Sequence, residues 1–267
     1  MTFSPFGSTR VLIIEDNPGI VRMLEMMLRR LGLSKVDQAV DGVVGLKMLV
    51  KGDYDVILLD HQLPGLRGVE VARVVRQTSG LRQPHIIMVT ADTSDTDFQR
   101  ALKTGGIFDD AIAKPFSYET LERKLRGYLE RNPRAGAAAP DAAGPAAARE
   151  ADGDLHPGEF LDYAISTDRY ESRVSVRGLL THRDAGTIKQ IFSYFSRHRE
   201  TACVLQIDDL VFADEFGIGS LVLMSGQLAE RRKALHVVSP RGYVKGRLAA
   251  LGVHRILRIS ESGPAPG

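Results

Sequence analysis

The 267-residue chain reads as an α/β protein in two parts. The first is a doubly wound, five-stranded parallel sheet, and the second is a further α/β domain with a mixed sheet. Three observations lead there. Short apolar runs alternate with segments of helical periodicity. The runs of the first half end in acidic or polar residues. A stretch rich in Ala, Pro and Gly, without one large hydrophobe, then interrupts the pattern over 132–152.

The first run, Arg10–Glu15, is apolar through four consecutive positions, as a strand buried on both faces must be. Asn17 and Pro18 give a helix start, Ile20, Leu24, Met27, Leu28 and Leu31 repeat at helical spacing, and Gly32 ends the helix. Lys35–Val40 reads as a second strand and Val43–Val50 as a second helix. Asp55–Asp60 is the third strand, Val69–Thr78 the third helix and His85–Thr90 the fourth strand. A polar helix over Asp95–Thr104, a short strand Asp110–Ala113 and a helix Tyr118–Glu130 complete five βα units. Asp109 and Asp110 read as a solvated loop before that strand. Right-handed crossovers place helices on both faces of such a sheet.

Pro and Gly recur too often in 132–153 for Ala to sustain a helix, so the stretch reads as an extended linker. The expected domains are 1–131 and 154–267. In the second, strands are expected at Phe160–Ile165, Tyr170–Arg177, Ala202–Ile207, Ala234–Val238 and Ile256–Ile259. Helices are expected at Asp184–His198, Phe216–Arg232 and Arg241–Leu251. Composition narrows the function classes. A net charge of +2 gives no field for nucleic acid or anionic membrane. The single cysteine, Cys203, excludes a disulfide framework within the chain. No run approaches the roughly 18 apolar residues of a membrane span, and Met1–Arg10 lacks a signal-peptide pattern. The expectation is a cytoplasmic protein without membrane insertion.

In a parallel sheet the C-terminal strand ends share one edge, and chemistry gathers there. Glu15–Asp16, Asp60, Thr90 and Lys114 all stand at such ends. Clustered carboxylates repel unless a cation lies between them, and hard oxygens suit Mg²⁺. Asp60 is then a candidate nucleophile for a phosphoryl group. Lys114 supplies countercharge, and Thr90 can donate to a phosphoryl oxygen.

These residues resemble the receiver domain of two-component response regulators, a flavodoxin-like fold, over about Thr9–Arg131. Ile14–Glu15–Asp16–Asn17 matches the acidic pocket, and Leu59–Asp60 with Leu63–Pro64–Gly65 matches the phosphoacceptor strand and loop. Val89–Thr90–Ala91 matches the switch threonine and Lys114–Pro115–Phe116 the lysine turn. The resemblance implies a sensor histidine kinase as phosphate donor and Gln62 as a metal ligand through its backbone carbonyl. It implies no catalysis beyond the domain's own phosphorylation and dephosphorylation. One departure stands out. The family's switch aromatic is replaced by Ala111, with Phe108 and Phe116 as nearby alternatives.

The second half lacks a phosphate loop, metal-spaced His or Cys, and a basic recognition helix, so no nucleic-acid partner is expected. Arg231–Arg232–Lys233 reads instead as cations at a helix C-terminus. His156, His182, His198, His236 and His254 share no spacing. Val176–Arg177–Gly178–Leu179–Leu180–Thr181, Leu205–Gln206–Ile207–Asp208 and Asp214–Glu215–Phe216–Gly217 together resemble a STAS domain, as in anti-sigma-factor antagonists and sulfate transporters. The resemblance implies partner binding at Asp214, Glu215, Phe216 and Gly217, with an anti-sigma factor or switch kinase as partner. Glu215 stands where the family carries a phosphorylatable residue. It is either a carboxylate favoured by the helix dipole or a fixed partial mimic of phosphoserine. Two alternatives remain open: a structural subunit of a STAS assembly, and an accessory module of a transporter.

Overall fold

The computed structural model describes residues 8–79, 81–132, 154–156, 159–167, 171–198 and 202–261. The stretch read as a linker lies outside them from residue 133 to 153. Two compact units divide between Gly144 and Pro145.

The N-terminal unit contains strands β1 (Arg10–Ile14), β2 (Lys35–Ala39), β3 (Val56–Asp60), β4 (His85–Thr90) and β5 (Asp110–Ala113). Between and after them lie helices α1 (Pro18–Arg30), α2 (Gly42–Lys51), α3 (Gly68–Gln77), α4 (Thr96–Thr104) and α5 (Tyr118–Arg131). The sheet order is β2-β1-β3-β4-β5, and every pairing is parallel. The continuous apolar runs of β1 and β3 have the cause expected, since both faces are covered. Val11, Ile13, Val56 and Leu58 face the core under α1 and α5, with Leu24, Leu28, Leu121 and Leu125 packed on them. Leu24 and Leu28 are almost wholly buried, and truncating such a leucine to Ala costs about 2–5 kcal/mol. On the opposite face α2 comes so close that a Cβ on Gly45 would lie 2.5 Å from Ile14 Cδ1.

The helix starts follow local chemistry. Asn17 Oδ1 accepts from the backbone N–H groups of Gly19 and Ile20, with Pro18 in the first turn. Asp41, Asp95 and Ser117 cap α2, α4 and α5 in the same way. Asp109 lies exposed in the loop before β5, as expected, whereas Asp110 begins the strand and is half-buried; both are held by side-chain contacts that the sequence did not show. Asp109 accepts from Ile86 N at 2.7 Å and Arg76 Nη2 at 2.6 Å, and Asp110 pairs with Lys124. Their partners come from β4, α3 and α5, elements distant in sequence.

The C-terminal unit has a six-stranded mixed sheet in the order β11-β10-β9-β8-β7-β6. Its strands are β6 (Asp154–His156), β7 (Leu161–Thr167), β8 (Glu171–Leu180), β9 (Ala202–Ala213), β10 (Ala234–Val238) and β11 (Arg258–Ser260). The pairs β6/β7 and β7/β8 are antiparallel and the rest parallel. Helices α6 (Ala185–Arg197), α7 (Glu215–Glu230) and α8 (Gly242–Ala250) contribute Ile188, Phe195, Leu221, Leu228 and Val244 to one core with Leu161, Val174, Cys203 and Leu205. Cys203 is fully buried there.

Several elements differ from expectation, among them β8, which runs three residues beyond Arg177 to Leu180. β9 runs six residues beyond Ile207, because Asp208 and Asp209 fall within a strand whose partner β8 is also long. β6 was not anticipated, and β11 starts later than Ile256 because a 3-10 turn occupies Val253–Arg255. The basic cluster after α7 is spent on neighbouring structure. Lys233 caps the carbonyls of Phe195 (2.6 Å) and His198 beyond the end of α6, and Arg231 lies over the Phe192 ring.

Candidate functional site

The N-terminal sheet reverses strand order between β1 and β3, which opens a crevice at their C-terminal ends. Ile14 pairs with Leu59, so the residues that follow, Glu15 and Asp60, emerge side by side. Behind Asp60 the chain must turn tightly into α3. A Cβ at Gly68 would fall 2.1 Å from the Asp60 carbonyl oxygen, and Gly68 N donates to the His61 carbonyl at 3.0 Å. Only glycine fits there.

Carboxylate oxygens of Glu15, Asp16 and Asp60 lie within 4.8 Å of one another. Glu15 and Asp60 are buried and Asp16 is exposed. Lys114, carried in beyond β5, reaches into this cluster. Its Nζ donates to Glu15 Oε2 at 2.8 Å and to Asp60 Oδ1 at 3.0 Å. Burial pulls the lysine pKa down, but the two carboxylates outweigh it and push the pKa up, so the ammonium stays charged. Glu15 is raised, chiefly by burial, with the Asp60 charge adding to the effect. Three carboxylates against one lysine leave net negative charge in an all-oxygen pocket. That donor set fits a divalent hard cation such as Mg²⁺. The Lys114–Pro115 peptide is cis. Beside it opens an apolar hollow of about 380 Å³ lined by Ile20, Met23, Ala91, Lys114, Pro115 and Phe116.

Thr90 ends β4 on the same edge and is fully buried. Its hydroxyl is engaged locally, donating to the Asp92 carbonyl and accepting from Asp92 N, both at 3.0 Å. Gln62 is exposed in the loop after β3. Sequence reasoning missed His61, the residue after Asp60. It is fully buried, and its Nε2 lies 3.0 Å from Arg67 Nη2 and 3.1 Å from Asp95 Oδ1.

Residues 11–126 match the family model described as the response regulator receiver domain. Chemotaxis protein CheY-3 of Vibrio cholerae is 32% identical over 122 residues, which are 46% of this chain and 92% of that protein. The chain belongs to the response regulator receiver family. Response regulator ArlR of Staphylococcus saprophyticus is 36% identical over 126 residues, 47% of this chain and 54% of the relative. The chain thus spans about half the length of that relative. Among solved structures, the receiver domain of a Pseudomonas aeruginosa sensor histidine kinase, with magnesium coordinated in its active-site cleft, is 34% identical. The match covers 46% of this chain and 98% of that one, at a TM-score of 0.41.

Phe108, one of the two aromatics considered in place of a ring at Ala111, is buried and stacks on Phe98 of α4 at 5.5 Å. Phe116 lines the hollow beside Lys114 instead.

In the C-terminal unit, Asp214 caps α7. Its Oδ1 accepts from Gly217 N at 2.7 Å, and Oδ2 accepts from His182 N at 3.1 Å and faces His182 Nδ1 at 3.2 Å. A Cβ at Gly217 would meet the Leu180 carbonyl at 2.4 Å, so the first turn of α7 packs on the end of β8 only with glycine there. Glu215 is exposed, with Arg247 Nη2 of α8 at 3.8 Å. Phe216, which the sequence left open between core and surface, is about half exposed at 47%. His182 is the residue that sequence reasoning passed over here. Among the described residues, no helix is long and apolar enough to cross a membrane.

Proposed function

We propose that this protein is a phosphorelay response regulator that accepts a phosphoryl group on Asp60 from a sensor histidine kinase. The observation that carries the reading is Lys114 Nζ bridging Asp60 and Glu15 inside a three-carboxylate pocket. An Asp60 carboxylate oxygen forms the new bond to phosphorus as the phosphorus–nitrogen bond of the donor histidine breaks. The leaving imidazole nitrogen then takes a proton from solvent. Lys114 holds the nucleophile in place and remains to offset the charge of the acyl phosphate. Glu15, Asp16, Asp60 and the Gln62 carbonyl would hold Mg²⁺, which supplies charge neutralisation of the phosphoryl oxygens. Thr90 exchanges its Asp92 partner for a phosphoryl oxygen. The apolar hollow beside Lys114 offers the kinase a contact surface next to the reacting carboxylate.

The C-terminal unit serves as a STAS-type interaction domain, with Asp214, Glu215, Phe216 and Gly217 as the contact region. Its partner is an anti-sigma factor or a switch kinase of that type. Glu215 carries permanent negative charge where a phosphoserine would carry about −1.5 to −2, so control passes to Asp60. The test is capture of partners by the full chain before and after treatment with acetyl phosphate and Mg²⁺. Capture is expected to change with phosphorylation in the wild type and not in Asp60→Ala. Equal capture in all four samples contradicts the signalling reading. A Glu215→Ser variant that binds the same partner no differently contradicts the mimic.

A further inference from the structure

We propose that His61, Arg67, Asp95 and Asp97 form a latch that holds the N-terminus of α4 against the phosphoacceptor loop, and that phosphorylation of Asp60 releases it. This rests on Asp60 being the phosphoacceptor. Arg67, at the end of the loop that follows Asp60, spans two carboxylates of α4: Nη2 to Asp95 Oδ2 at 2.5 Å and Nη1 to Asp97 Oδ2 at 2.7 Å. Asp95 is also the α4 cap, accepting from Asp97 N at 2.9 Å and Phe98 N at 3.0 Å. Whatever moves Asp95 therefore moves the start of the helix.

His61 is the pivot. Its Nε2 faces a donor, Arg67, and an acceptor, Asp95, at nearly equal distances, while its buried Nδ1 has no hydrogen-bond partner among the described residues. A neutral imidazole nitrogen satisfies one of them at a time: with a lone pair it accepts from Arg67, and with a hydrogen it donates to Asp95. The side chain thus has two hydrogen-bonded arrangements, one to each partner. The ring also sets its edge against Phe98 at 5.6 Å, and Phe98 stacks on Phe108 just before β5. An aromatic path therefore runs from the residue beside Asp60 to the edge of the sheet, although Ala111 has no ring to move.

The trigger is competition for one hydroxyl hydrogen. Thr90 has a single O–H to donate, and it now goes to the Asp92 carbonyl. Donating it to a phosphoryl oxygen frees the 90–92 turn, which leads directly into Asp95.

The experiment is amide hydrogen exchange on the full chain, untreated and treated with acetyl phosphate and Mg²⁺, with phosphate on Asp60 measured on the same samples. The variants are Arg67→Gln and Asp95→Asn; the second keeps a good cap and removes the charge. In untreated variants, amides 97–99 are expected to exchange roughly 5–10-fold faster than wild type, in line with losing charged hydrogen bonds that are partly exposed. Phosphorylated wild type is expected to approach the variants, which themselves respond less than about twofold. Untreated variants that match wild type overturn the latch. Labelled wild type with unchanged exchange at 97–99 overturns its release while leaving Asp60 as the acceptor. Absence of label on Asp60 overturns both.

Discussion

Lys114 offsets two buried carboxylates with one charge, and its loss leaves Glu15 and Asp60 facing each other unscreened. Lys114→Gln is expected to slow acetyl-phosphate labelling of Asp60 by roughly 10²–10³-fold, the usual cost of removing one electrostatic stabiliser. Initial labelling rates measure it, and a rate unchanged from wild type contradicts the assignment. A second residue-scale expectation concerns His85. It stacks on Tyr128 at 4.2 Å, and burial lowers its pKa despite the opposing charges of Asp109 and Asp110. The folded state thus binds this proton less well than the unfolded chain, whose histidines titrate near about 6.5. Its contribution is complete above that value and is lost as pH falls from there through the folded-state pKa. Between about pH 8 and about pH 5.5 the urea midpoint of the N-terminal unit should fall, and His85→Gln should flatten that slope. An unchanged slope refutes this. At this scale the sequence showed Glu15, Asp16, Asp60, Thr90 and Lys114, because each ends an apolar run. It did not show His61. A histidine after a strand looks like any loop residue until α4 brings Asp95 to its Nε2.

Strands and helices were legible where burial imposes a pattern. β1, β3 and β4 are buried on both faces and read as unbroken apolar runs, while α1 carries its cap, its Pro and its periodicity in plain order. β9 was read short because the polar residues Asp208 and Asp209 end its apolar run, though pairing with β8 resumes at Asp209 after a register shift. No local pattern announces that continuation. Glycines sharpen the same lesson within α7. Gly217 has the Leu180 carbonyl where a Cβ would go, whereas Gly226 has open space around it. Gly217→Ala is expected to destabilise the C-terminal unit by about 1–3 kcal/mol through overpacking. Gly226→Ala is expected to stabilise it by roughly 0.5–1 kcal/mol through helix propensity. Urea unfolding followed by a probe in that unit distinguishes them. Shifts of the same sign contradict this account of α7.

The whole molecule joins a receiver to a second α/β unit, and its stability should report the metal pocket. A cation that binds only the folded receiver stabilises it by RT ln(1 + [L]/Kd), about 2.7 kcal/mol at 100-fold excess over Kd. Mg²⁺ should therefore raise the receiver's melting temperature, EDTA should reverse the rise, and Asp16→Asn should diminish it. No Mg²⁺-dependent shift in wild type contradicts the pocket's assignment. The abrupt change of composition over 132–152 falls where the two compact units divide. The bridging of Glu15 and Asp60 by Lys114 needed the fold, since strand order alone decides which ends meet. The central claim is that Asp60 takes the phosphoryl group, and mapping the label tests it most directly. Full-length protein incubated with acetyl phosphate and Mg²⁺ should carry one phosphoryl group, on Asp60, and Asp60→Ala should carry none. Label on any other residue, or label that persists in Asp60→Ala, would contradict it.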